Sequence, residues 1–416
     1  MLLLYKIGIF LYSIIVRLVS PFNEKARQFV VGRKSWRISL QNQVEKDVSY
    51  IWFHCASLGE FEQGRPVIEE IKKQFPQYKI ALTFFSPSGY EIRKNYDGAD
   101  IISYLPLDTK SNARAFIDIV KPEKVFFIKY EFWYFYISEL KKQKIPLYII
   151  SAIFRENQQF FKNTVWGKWY RETLFKFEHF FVQNETSAKL LKSIGLNNIS
   201  VSGDTRFDRV AEIVKAAKKI PVVEKFKNNE LLIIAGSTWK PDEELLIEFI
   251  NQTPNIKFII APHEVSDVNI NRIHQLLKTR AISFSKINKT EIGDYQVLII
   301  DSIGLLSSLY QYGNVAYIGG GFGVGIHNIL EAATFGMPVI FGPNYLKFKE
   351  AVDLISNGGA FSITNSNELV ARINRLISDE KSLKISSQNS KNYVEKNVGS
   401  TKIIIKKVFN NDNLLD

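Results

Sequence analysis

From Tyr50 to about residue 380, short apolar runs alternate with longer stretches of helical period, and that alternation restricts the fold more than any other feature of the chain. The runs at 50–54, 79–84, 101–104, 124–129 and 146–150 are apolar almost throughout. Strands of that kind are buried on both faces, and a parallel sheet wrapped by its own crossover helices provides such burial. A further unit runs through Phe180-Phe181-Val182 and Ile199-Ser200-Val201, after which charged residues thicken between 209 and 230 around Pro221. A second alternation opens at Leu231-Leu232-Ile233-Ile234, and no internal repeat is visible. At 416 residues the chain exceeds the size at which one core keeps growing. The expectation is an α/β protein of two doubly wound, Rossmann-like parallel-sheet domains facing a cleft, over residues 35–210 and 230–380, with a linker at 211–229. The lysine-rich segment 381–416 reads as a helical tail packed back onto the first domain.

The second alternation contains the run GGGFGVGIHNILEAATFGMPVIFGP from Gly319 to Pro343. Five glycines between 319 and 325 follow the apolar strand Val315-Ala316-Tyr317-Ile318 and permit positive φ and close backbone approach by a ligand. A helix is expected to open near His327, its free N–H groups and dipole suiting a phosphate or carboxylate, and Gly336 to end it as a C-cap. A glycine cluster alone fits a tight βαβ turn equally well. What favours a ligand is the set His327, Asn328 and Glu331, whose spacing puts polar groups on one helical face beside Gly323 and Gly325.

Composition narrows the chemistry. The single cysteine, Cys55, excludes an internal disulfide framework and suits a reducing compartment. The five histidines show no metal-ligand spacing and no Asp-x-Asp is present, so a metal-free site without a cofactor is expected. A net charge of +12 biases the surface toward anionic partners. No nucleic-acid module is recognisable, which leaves lipid headgroups and sugar phosphates. Residues 1–34 supply the membrane: an apolar segment from Ile7 to Val16 lies between Lys6 and Arg17, and the basic run Lys25, Arg27, Arg33, Lys34 and Arg37 follows. The segment is short for the roughly 20 residues of a span. An anchor in the cytoplasmic leaflet with snorkelling Lys6 and Arg17 is the first reading, with a single span and a buried helix as alternatives.

After the first strand comes His54-Cys55-Ala56-Ser57-Leu58-Gly59-Glu60. Ser57-x-x-Glu60 has the form of a capping box, which would occupy both side chains with helix N–H groups. Alternatively Glu60, at a strand's carboxyl end, is a general base able to take the proton of an attacking hydroxyl.

Several of these segments together resemble 3-deoxy-D-manno-octulosonic acid (Kdo) transferases, lipid A glycosyltransferases of GT-B fold. The run Gly325-Ile326-His327-Asn328-Ile329-Leu330-Glu331, followed by Gly336-Met337-Pro338-Val339-Ile340-Phe341-Gly342-Pro343, looks like the family's donor-binding signature. Ser57 to Glu60 after Trp52-Phe53-His54 looks like its N-terminal signature, whose glutamate is the catalytic base. Thr83 to Glu91 with Ser88 and Gly89, then Leu105-Pro106-Leu107-Asp108, and then Glu131-Phe132-Trp133 follow in the family's order. Gly236-Ser237-Thr238-Trp239 resembles its Gly-Ser-Thr loop. Two departures stand out: Ala261-Pro262-His263 lacks the arginine of the family's Pro-Arg-His, with Lys240 or Arg206 as candidate replacements, and Ser151-Ala152-Ile153 replaces Asn-Ala-Arg, with Arg155 nearby.

The resemblance implies transfer of Kdo from CMP-Kdo to the lipid A precursor lipid IVA in lipopolysaccharide biosynthesis, at the cytoplasmic face of the cell inner membrane. It implies Glu60 as base, an acceptor site of Glu131, Ser88, Gly89 and Arg155, and a donor site of Ser237, Thr238, His263, Gly323, Gly325, His327, Asn328 and Glu331. Asp242 and Glu243 read as ordinary first-turn acids. A GT-B enzyme using a UDP-sugar on another membrane acceptor is the nearer alternative. A nicotinamide oxidoreductase is the farther one, and no Gly-x-Gly-x-x-Gly opens either domain after its first strand.

Overall fold

The computed structural model describes residues 1–287 and 292–409. The chain forms two compact units, the first from residues 1–209 with the segment from Val398 onward, the second from residues 210–397.

In the first unit seven strands pair in parallel: β1 (Tyr50–Cys55), β2 (Lys79–Phe84), β3 (Ile101–Tyr104), β4 (Pro122–Ile128), β5 (Leu147–Ala152), β6 (His179–Val182) and β7 (Ile199–Val201). Their order is β3-β2-β1-β4-β5-β6-β7. Because side chains alternate along a strand, Trp52 of β1 faces one layer with Phe116, Phe127 and Tyr136, while Phe53 faces the other with Phe61, Phe84 and Phe126. The helices that matter for the site are α1 (Leu2–Val19), α2 (Glu24–Val31), α3 (Trp36–Gln43), α4 (Leu58–Gln74), α5 (Pro87–Arg93), α6 (Lys110–Val120) and α7 (Tyr134–Lys142).

The second unit repeats the architecture with β8 (Leu232–Thr238), β9 (Lys257–Pro262), β10 (Ala281–Ser283), β11 (Val297–Ile299), β12 (Val315–Ile318), β13 (Val339–Phe341) and β14 (Ala360–Ser362). All pair in parallel in the order β10-β11-β9-β8-β12-β13-β14. Strand order reverses beside β1 in one sheet and beside β8 in the other. The carboxyl ends of β1 and β4, and of β8 and β12, therefore flank the crevices where doubly wound sheets take ligands.

Three expectations change. Residues 211–229, expected as a linker, are largely helical: helices Arg206–Ala216 and Pro221–Lys227 occupy the stretch, and its charges are the solvent faces of helices that bury Val210, Val223 and Phe226. The tail divides. Helix Glu380–Asn397 stays with the second unit, whereas Ser400–Phe409 packs on the first through Ile404, Ile405 and Val408, fastened where Asp208 accepts hydrogen bonds from the Gly399 and Thr401 amides. Arg33, expected to face headgroups, turns inward. Its guanidinium lies 3.6 Å from the Phe29 ring centre and donates to the carbonyls of Leu105, Phe29 and Phe85.

Helix α1 is apolar, and of its side chains only Tyr5 is buried. Leu2, Tyr5 and Ile9 lay one stripe against the unit, leaving Leu3, Leu4, Phe10, Leu11, Ile15 and Leu18 exposed. The Tyr5 hydroxyl donates to Asp108, which also accepts from the amides of Phe135 and Tyr136 at 3.1 Å. Asp108 thus serves the start of α7 and holds α1 at once.

Candidate functional site

At the switch point of the first sheet, β1 runs through Ala56 and Ser57 into α4, whose first turn carries Glu60. The expected capping box does not form. Ser57 caps no helix amide; its hydroxyl donates to the Glu60 carboxylate instead. Glu60 is half-buried and accepts from a side chain rather than from the backbone.

Glu131 follows β4 after Lys129, a non-glycine residue at φ 67°. Such left-handed backbone costs about 1–3 kcal/mol and persists where surrounding packing imposes it. Glu131 is 8% exposed, and its Oε2 lies 3.0 Å from His54 Nε2 and 2.5 Å from Trp133 Nε1. His54 Nδ1 meets Thr83 Oγ1 at 2.9 Å, and that hydroxyl accepts from Trp52 Nε1 at 2.8 Å. A chain of polar groups through the centre of the sheet therefore fixes one oxygen of Glu131, while Oε1 has no protein partner among the described residues. Glu131 is no N-cap, because Asp108 takes the first amides of α7.

The other acceptor candidates divide. Ser88 shares a hydrogen bond with Ser86 Oγ at 3.0 Å. Gly89 answers a packing need, since a Cβ there would lie 2.3 Å from the Phe84 ring and 3.1 Å from the Ser57 backbone. Arg155 is exposed and donates to the Tyr130 hydroxyl at 3.3 Å. The Tyr130 phenol is held above its usual pKa, chiefly by burial, with Arg155 opposing the rise and Glu60 adding to it.

In the second unit a cavity of about 290 Å³ opens at the ends of β8 and β12. It brings together Ser237, His263, His327, Asn328 and Glu331. Ser237 adopts φ 53°, another strained residue at a strand's carboxyl end. The rings of Trp239, His263 and His327 stack, His263 lying 4.4 Å from Trp239 and 4.6 Å from His327. Trp239 Nε1 donates to His327 Nε2 at 2.9 Å. Burial, and then His263, lowers the pKa of His327, with Asp242 opposing. The ring is thus neutral near pH 7 with its proton on Nδ1, and no acceptor among the described residues takes that proton.

The helix expected at His327 begins at Leu330 and runs only to Thr334. The physical reason is Asn328, whose Oδ1 accepts from Leu330 N at 3.1 Å while its Nδ2 donates to Glu331 Oε1 at 3.1 Å. Ser307 donates to Glu331 Oε2 at 2.8 Å, so the carboxylate is held from both sides. The glycine loop is also less open than expected. The amides of Gly319, Gly320, Gly323, Gly325 and His327 already have acceptors within the unit. Asp242 takes one of them: it accepts from Gly320 N and Trp239 N, each at 2.9 Å, and from the Tyr317 hydroxyl at 2.8 Å. This first-turn acid fastens the loop to the helix Lys240–Ile250. Glu243, the other acid of that turn, is buried and accepts from Thr238 Oγ1 at 3.1 Å. Thr238 therefore points away from the cavity. Gly325, at φ 138°, needs to be glycine, whereas Gly323 is exposed and unstrained. Gly336 at φ 75° ends the short helix as expected. Neither replacement for the missing arginine lines the cavity: Lys240 pairs with Glu244 at 3.9 Å, and Arg206 with Asp204 at 2.8 Å in the first unit.

The family model described as 3-deoxy-D-manno-octulosonic-acid transferase (kdotransferase) matches residues 31–209. A 3-deoxy-D-manno-octulosonic acid transferase of Aquifex aeolicus is 27% identical over 347 residues, covering 82% of this chain and 89% of that protein. That of Rickettsia bellii is 28% identical over 382 residues, covering 88% and 89%. Residues 31–209 thus match the Kdo transferase family model, and relatives named as Kdo transferases match over most of the chain. Those relatives are named as transferases, and the fold of this chain agrees. UDP-GlcNAc 2-epimerase of Neisseria meningitidis superposes with a TM-score of 0.60 at 17% identity, over 87% of this chain and all of that one (100%). MurG of Acinetobacter baumannii superposes at 0.55 and 10% identity, over 87% and 99%. Those likenesses show the two-domain GT-B fold alone.

Sequence reasoning missed Ser307 and Tyr310, which line the same cavity as Glu331. A signal was present in Asp301-Ser302-Ile303-Gly304, a polar turn directly after the apolar run of β11.

Proposed function

We propose that this protein is a Kdo transferase, moving Kdo from CMP-Kdo to the lipid A precursor lipid IVA in lipopolysaccharide biosynthesis by a metal-independent, inverting displacement with Glu60 as general base. The observation that carries the donor half is the pinned carboxylate of Glu331. Held by Ser307 and Asn328, it lines the cavity as a fixed carboxylate of the kind that recognises ribose hydroxyls. His327 Nδ1 and the Ser237 hydroxyl are donors in the same cavity for the phosphate or the sugar carboxylate. In the acceptor half, Glu60 removes the proton of the attacking hydroxyl as the new bond forms at the anomeric carbon and the bond to CMP breaks. CMP leaves as an anion, and Glu131, fixed through one oxygen, offers the other to an acceptor hydroxyl.

The exposed apolar face of α1 supports placement at the cytoplasmic surface of the inner membrane. The helix is about 27 Å long and is tied to the first unit through Leu2, Tyr5, Ile9 and Tyr12, an arrangement suited to lying in the leaflet. Calorimetry of CMP against UDP on the full chain tests the donor assignment. Binding of CMP that is weakened by Glu331→Gln is expected; preference for UDP would replace CMP-Kdo with a UDP-sugar.

A further inference from the structure

The first unit carries a second cavity, of about 380 Å³, that none of the roles above uses. One wall is α1, contributing Lys6, Ile9 and Arg17; the other holds Lys110 at the start of α6 and Phe135 of α7, above Asp108. Lys6 and Arg17 are eleven positions apart, three helical turns, so they lie on one face about 16 Å apart along the axis. The cavity is therefore a groove running lengthwise beneath the helix. All three cations are exposed, and none has an ion-pair partner among the described residues. Asp108, at the floor of the groove, forms no ion pair with any of them, its oxygens being turned to the Tyr5 hydroxyl and two α7 amides, and its single charge offsets at most one of the three. Three like charges around one apolar-walled groove repel one another, and the dipole of α6 adds positive potential at Lys110. An anion relieves that repulsion. The outer face of the same helix is the exposed apolar surface of Leu3, Leu11 and Leu18, so a leaflet that takes this face brings headgroups level with the groove.

We propose that the groove between α1 and the start of α6 binds the phosphate of an anionic membrane lipid headgroup, so that the enzyme engages the leaflet through a defined site as well as through its net charge. The proposal rests on the reading that α1 lies in the leaflet, and the test separates the two. Dihexanoyl phosphatidic acid, kept below its micelle concentration, is titrated into the full chain. Saturable binding is expected, weakened about tenfold or more in the double variant Arg17→Ala/Lys110→Ala, which removes two of the three cations that line the groove. Lys25→Ala/Lys34→Ala, which removes the same charge from exposed positions outside the groove, is expected to bind as wild type does. Absence of saturable binding, or equal loss in both variants, overturns the groove. Sedimentation with phosphatidylcholine vesicles, with and without phosphatidic acid, tests the anchor by itself. Binding of the soluble lipid without sedimentation keeps the groove and refutes the anchor; sedimentation with no effect of the groove variant does the reverse. Unchanged melting temperatures confirm that each variant is folded.

Discussion

Replacing Glu60 by glutamine separates catalysis from architecture at one residue, and the structure sets the size of each effect. The Glu60 carboxylate accepts a hydrogen bond from Ser57 Oγ and takes no part in a capping box. A glutamine amide oxygen accepts the same bond, so the stability cost is the difference between a charged and a neutral hydrogen bond, about 1 kcal/mol. Catalysis responds differently, because an amide cannot take the acceptor's proton. Loss of a general base lowers the rate about 10²–10⁴-fold, on the order of 3–5 kcal/mol in the barrier. The assay is the initial rate of CMP release at saturating donor and acceptor, paired with a thermal melt and a CMP titration. The expected result is a fall in kcat of at least a hundredfold, about 10², with donor affinity and melting temperature nearly unchanged. Ser57→Ala, which removes only the donor to the carboxylate, should lose far less activity. A Glu60→Gln enzyme within a few-fold of wild type would refute the role of Glu60 and direct the search to Glu131.

Glu331→Gln should weaken CMP binding by about 1.5–3 kcal/mol in calorimetry while the protein stays folded, because Ser307 and Asn328 hold the carboxylate through charged hydrogen bonds; unchanged affinity would remove Glu331 from the donor site. Arg33→Lys should destabilise the protein by about 2–4 kcal/mol in denaturant melts, since lysine cannot reproduce three carbonyl contacts and the stack on Phe29; wild-type stability would show that the fork is dispensable. In the first unit two titrations oppose each other. Burial raises the Asp108 carboxyl to about 6, so its contribution is full below the unfolded value near 4 and is lost as pH rises through 6, whereas burial pushes His179 down to about 4, which costs stability as pH falls from 6.5 toward 4. Asp108→Asn removes the first effect only, so its melting temperature should fall more steeply than that of wild type between pH 6.5 and 4.5, a window lying within the span from His179 at about 4 to its ordinary 6.5; parallel profiles would contradict the sign.

Much of the fold could be read from the chain because parallel strands covered on both faces must be apolar along their whole length, as Ile51, Trp52 and Phe53 are. The two crevices were legible for a related reason: glycines and polar residues directly after buried strands mark the carboxyl ends where a sheet meets ligand. What escaped depends on side chains competing for backbone. Asn328 and Glu331 look like one face of a helix, but Asn328 lies ahead of the helix, where its Oδ1 accepts from Leu330 N and its Nδ2 holds Glu331. Ser57 and Glu60 look like a capping box, but they bond to each other. Asp242 looks like a solvated first-turn acid until Gly320 and Tyr317 are seen donating to it from residues more than seventy positions away, with sequence separations of 78 and 75. Arg33 reads as one more surface cation because nothing local reveals the three carbonyls that surround it. Spacing along the chain reports periodicity; it does not report which of two satisfied hydrogen-bond arrangements is the better one.

The central claim is the reaction itself, and the direct measurement is the lipid product. The full chain is incubated with CMP-Kdo generated in place and a tetraacyl, phosphorylated disaccharide acceptor, and the extracted lipid is analysed by mass spectrometry. The account predicts lipid carrying added Kdo together with an equivalent release of CMP, both lost in Glu60→Gln. Unmodified lipid in the presence of intact CMP-Kdo, or sugar added only when a UDP-sugar is supplied, would contradict it.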